Sequence, residues 1–78
     1  TVTVGPNPFE ETTLFTIDGW NGKVPTIHIY DVTGRLLEQQ QFHNSKLLFN
    51  KAQLSVGVYF YQIEADGVLL SDGRLLIQ

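Results

Sequence analysis

The 78-residue chain has no cysteine, which excludes a disulfide framework and a thiolate metal site. That absence suits a reducing cytoplasm and an exported bacterial protein equally, so it does not place the protein. Charge is sparse as well: 17% of the residues are charged, against a usual figure of about 25%. The five basic residues, Lys23, Arg35, Lys46, Lys51 and Arg74, are scattered along a sequence of net charge −3. A basic patch for nucleic acid is therefore missing, and no acidic run reads as a solvated tail. No apolar stretch approaches the roughly 20 residues of a membrane-spanning helix. The opening TVTVGPNPF carries neither a basic nor an apolar leader region, so it is no signal peptide. The expectation is a domain cut from something larger.

What remains is an ordinary globular composition, 42% hydrophobic, which argues against disorder. The length allows a single domain, residues 1–78, with a narrow stability margin. Short alternating runs with a turn signal about every ten residues point to an all-β fold. The expected architecture is an immunoglobulin-like β-sandwich of about seven short antiparallel strands, near 1–4, 12–18, 26–31, 35–41, 46–49, 58–65 and 69–77. Pro6 and Pro8 around Asn7 break the first strand from the second. The segment Asp18–Gly22 reads as a loop, and Asp31–Gly34 as a hairpin connection in which Asp31 bonds the backbone and Gly34 supplies a positive φ. Asp66-Gly67 is a two-residue type I′ hairpin. Residues 50–54 suggest one helical turn capped by Asn50, with Leu54 dropping into the core.

Alternation assigns faces. Tyr59, Tyr61, Ile63 and Ala65 should face inward, opposite Gln62 and Glu64; Ile27 and Ile29 oppose His28 and Tyr30. In the final strand, Asp72 and Arg74 mark the wet face, which puts Leu75 and Ile77 inward and leaves Leu70 and Leu76 as outward apolar residues. The long hairpin from Leu54 to Gln78 puts a strand where termini commonly fray, so that strand is expected either to be needed for folding or to be presented to a partner.

Catalytic material is poor. His28 and His43 have no ligand-spaced neighbours, and Ser45, Ser55 and Ser71 lack a GxSxG elbow. Glu10 and Glu11 are adjacent and diverge, unlike a glycosidase pair. Asp31, Asp66 and Asp72 form no calcium loop, and the glycines make no phosphate cradle. No enzyme, metal or cofactor is expected. Trp20, Tyr30 and Phe60 could form a sugar-stacking platform, but a lone loop tryptophan reads more simply as a plug over the core edge.

Four ordered motifs remain: PNPF at Pro6–Phe9, YDVTGRLL at Tyr30–Leu37, LSVGVYFYQIEADG at Leu54–Gly67 and GRLLIQ at Gly73–Gln78. Together they resemble the type A C-terminal sorting domain of the type IX (Por) secretion system of Bacteroidetes-type bacteria, over nearly the whole sequence. Pro6, Asn7, Pro8 and Phe9 match its opening motif; Asp31, Gly34 and Arg35 match its central turn. Gly57 and Tyr59 match the G-x-Y of its penultimate strand, and Gly67 its hairpin glycine. Arg74, Leu75, Leu76 and Ile77 match its basic-then-aliphatic ending. The resemblance departs at Gly5, where the family often has an aromatic, and at Gly73 beside the basic residue.

The resemblance implies an address read by protein partners, with a cargo domain preceding it, passage through the periplasm, and delivery to the cell surface or medium. The implied partners are the outer-membrane translocon and a sortase-like peptidase that cuts near or upstream of Thr1. The expected recognition surface is Leu70, Arg74, Leu75, Leu76, Ile77 and Gln78, on a strand at or near a sheet edge. Alternatives are an accessory carbohydrate-binding module of an extracellular hydrolase and a structural immunoglobulin-like spacer.

Overall fold

Period-two alternation sorts the sequence into seven strands and no helix in the computed structural model, which describes residues Thr1–Gln78. They are β1 (Val2–Gly5), β2 (Thr12–Ile17), β3 (Thr26–Tyr30), β4 (Leu36–Gln41), β5 (Lys46–Asn50), β6 (Gly57–Ala65) and β7 (Val68–Ile77). A three-stranded sheet runs β1-β2-β5, and a four-stranded sheet runs β4-β3-β6-β7, with every named strand pair antiparallel. The sheets thus separate β1, β2 and β5 from β3, β6 and β7, as an immunoglobulin-type sandwich separates its A, B, E and C, F, G strands; β4 joins the second group beside β3.

The inner faces meet in one core. Phe15 of β2 packs edge-on against Phe49 of β5, with ring centres 6.5 Å apart, and against Tyr61 of β6 across the sandwich at 5.1 Å. Ile27, Ile29, Tyr59, Tyr61, Ile63, Ala65, Leu75 and Ile77 are buried as alternation requires, whereas Gln62 and Glu64 are exposed and His28 and Tyr30 lie on the outer face, part-exposed. Thr13 is buried too; its hydroxyl donates to the Pro6 carbonyl, which satisfies it.

Two expectations fail, both for local reasons. Residues 51–54 form a tight turn that is not helical. Asn50 does bond the Ala52 N–H, at 2.7 Å, but Leu54 N–H donates to Lys51 O and Ala52 sits at φ 50°, which ends any helical course. Leu54 still packs against the core. In β7, Ile63 pairs with Ser71 while Glu64 pairs with Leu69, so Leu70 is the extra residue of a β-bulge. The bulge shifts parity, and Leu70 packs against the core edge instead of pointing outward. Val68 and Leu69 are the exposed apolar residues at this end.

Candidate recognition site: the clasped edge of β7

Strand β7 is the outer strand of its sheet, and such strands carry unpaired N–H and C=O groups along one side. Here the C-terminal end of that side is occupied by the first sequence motif. Phe9 N–H donates to Leu76 O at 3.0 Å and Gln78 N–H donates to Phe9 O at 2.8 Å, a parallel bridge between Phe9 and Ile77. Two residues earlier, the Asn7 side chain repeats the same pattern. Its Nδ2 donates to Arg74 O at 2.9 Å and its Oδ1 accepts from Leu76 N–H at 3.0 Å. A carboxamide has the donor and acceptor of a peptide group, so Asn7 and Phe9 together form a short surrogate strand along β7.

The flanking prolines explain the route. Gly5 still pairs with Leu14 in the three-stranded sheet, after which Pro6 and Pro8, lacking N–H groups, leave that ladder. The backbone then passes to the other sheet, as at a sandwich corner. Phe9 inserts its ring, 2% exposed, into the core, 6.2 Å from Phe49 of the opposite sheet. Its backbone is therefore tied to one sheet and its ring to the other.

The expected recognition residues divide. Leu75 and Ile77 are buried in the core and Leu70 is packed against its edge; Arg74 and Gln78 are exposed and Leu76 is half-buried on the outer face. Nothing in the alternation pattern shows that Asn7 bonds β7, because residues 67 and 69 positions apart carry no periodic signal. Phe60 and Val58 on β6 add exposed apolar surface beside Arg74 and Leu76, their cross-strand partners.

The remaining motif residues shape turns and packing. Asp31 Oδ1 accepts from Thr33 N–H at 2.9 Å, Thr33 Oγ1 at 2.6 Å and Arg35 N–H at 3.0 Å, while Arg35 Nε lies 3.4 Å from Asp31 Oδ2. The Thr33 hydroxyl, then the Arg35 N–H, hold the Asp31 carboxyl below its ordinary pKa. Gly34 has φ 89°, as that turn demands. Asp66 and Gly67, at φ 56° and 73°, make the type I′ hairpin. Gly57 opens β6, and two residues on, the Tyr59 hydroxyl donates to Ser55 O at 2.7 Å. This is the tie that a tyrosine corner makes near the start of an immunoglobulin F strand.

Gly73 also has a role. A Cβ there would meet the Tyr61 hydroxyl at 2.8 Å, so its lack of a side chain lets the Tyr61 ring lie over β7. Trp20 packs against the core with its indole N–H donating to Lys23 O at 2.7 Å, and its ring covers Gly22.

A shallow groove of about 650 Å3 lies between the Asp31 turn and β7, lined among others by Tyr30, Phe60, Gln62, Asp72 and Arg74. The family profile described as "Secretion system C-terminal sorting domain" matches residues 3–78. Comparison with curated proteins gives no match. The profile spans the clasp, the Asp31 turn, the β6–β7 hairpin and the basic-aliphatic ending together, and the protein belongs to the C-terminal sorting domain family of the type IX (Por) secretion system.

Proposed function

We propose that the folded sandwich, and not a linear peptide from its end, is the address read by the outer-membrane translocon of the type IX system. Its family is one of secretion sorting signals, so the domain's role is to direct cargo out of the cell, to the surface or the medium. The observation that supports reading by fold is the clasp: Asn7 and Phe9 meet Arg74, Leu76 and Gln78 only in the folded domain. A partner that reads the last strand therefore meets the first motif at the same place. On this reading the cargo precedes the domain and crosses the periplasm, and a sortase-like peptidase removes the domain near or upstream of Thr1. The domain itself performs no reaction. Engagement of the Trp20 indole by the Lys23 carbonyl supports a structural role for that ring rather than a sugar platform.

The test is a periplasmic reporter fused to residues 1–78 in a host carrying the secretion system, with surface and medium fractions assayed. The intact domain should export the reporter. A fusion carrying only residues 68–78, or a variant shown by circular dichroism to be unfolded, should leave it in the periplasm. Export of either at the intact-domain level would overturn reading by fold.

A further inference from the structure

The ladder beside β7 stops short. Asn7 and Phe9 satisfy Arg74 O, Leu76 N and O, and Gln78 N. Antiparallel pairing with β6 alternates which groups point away, and Asp72 has the same parity as Arg74 and Leu76. The N–H and C=O of Asp72 and the N–H of Arg74 therefore face the open side with no protein partner. The segment upstream of Asn7 cannot fill that position, since Gly5 pairs in the other sheet. The groove against Phe60 and Tyr30 borders these same residues. The side chains of Asp72 and Arg74, of opposite charge, flank the gap and join no ion pair.

We infer, resting on the reading of the folded domain as an export address, that an extended segment of a partner protein adds to β7 at Gly73, parallel to it and continuous with the Asn7–Phe9 surrogate strand. Its backbone N–H bonds Asp72 O and its backbone carbonyl accepts from Arg74 N–H, the mode by which strands are added to sheet edges. Residues on either side of that contact carry a basic group beside Asp72 and an acidic one beside Arg74. A second copy of this domain fits less well. An antiparallel pair centred on Gly73 would match Asp72 with Arg74 of the other copy, but it needs the Arg74 carbonyl that the Asn7 amide already holds.

Proline is tolerated on a sheet edge where its missing N–H faced solvent. At Asp72 its ring stands on the open edge and blocks an added strand, and the carboxylate is lost, while the β6–β7 ladder is untouched. In the reporter assay, Asp72→Pro should retain the wild-type circular dichroism and lower export at least tenfold. Arg74→Glu, an exposed charge reversal, should lower export several-fold. Wild-type export by a folded Asp72→Pro domain overturns the inference, as does wild-type export by Arg74→Glu should the proline variant fail to fold. A dimer of the isolated domain in sedimentation, dissociated by Asp72→Pro, would name a second copy as the occupant and overturn the partner strand. Failure of the unaltered domain to export the reporter sinks the underlying reading and this inference with it. Normal export by both the unaltered and the proline domain sinks this inference alone.

Discussion

At the scale of the residue, Asn7 stands in for a peptide group. Its carboxamide donates to one β7 carbonyl and accepts from the N–H two residues on, and an intramolecular hydrogen bond contributes about 0.5–1.5 kcal/mol net. Asn7→Ala should therefore lower the unfolding free energy by about 1–3 kcal/mol in urea titrations, while leaving the Asp31 turn intact. Asp31 acts through its charge. Three donors converge on one carboxylate oxygen and lower its pKa. Because the folded carboxyl binds its proton less readily than the unfolded one, its contribution is complete above the unfolded pKa of about 4. It is lost as pH falls through the lower folded value. Asp31→Asn keeps an acceptor but no charge, so it should be less stable than wild type at neutral pH. Urea midpoints of the two should converge in strong acid.

At the scale of the element, strands and tight turns are legible because they are local. Asp66-Gly67 needs two residues of positive φ between alternating strands, and any window of about ten residues contains that information. The turn at residues 51–54 resembles a helical one in sequence because Asn50 bonds the backbone two residues on in either conformation. Ala52 is the telling position. At φ 50° an alanine occupies the left-handed region, which costs about 1–2 kcal/mol. Ala52→Gly should raise stability by about 0.5–1 kcal/mol, the relief exceeding the added backbone entropy; thermal unfolding checks it. The bulge at Leu70 is hidden for a different reason. Alternation continues on either side of it, and only pairing with β6 shows that one residue is extra.

At the scale of the molecule, Phe9 joins the two sheets, its backbone bonded to β7 and its ring packed on Phe49 of β5. Only 16 of 78 residues are buried, so a single ring is a large share of the core. Phe9→Ala should cost about 3–5 kcal/mol, enough to unfold much of a domain of this size, with loss of the cooperative melt in circular dichroism. If the fold is the address, that variant should also fail to export a reporter.

The residues alone determined the class of fold, the strands to within one residue at every end, the inward set of β3 and β6, and the family, because each rests on period, turn chemistry or motif order. The tertiary structure decided which apolar residues of β7 are exposed, why Gly73 stands where it does, and that the first motif covers the edge of the last strand. Those depend on contacts between residues far apart in sequence: Leu70 against its register with β6, Gly73 beneath the Tyr61 ring, Asn7 on Arg74 and Leu76. Hydrogen bonds and van der Waals contacts act over a few ångströms of space. A pattern read along the sequence reports them only where the partners are also neighbours in it.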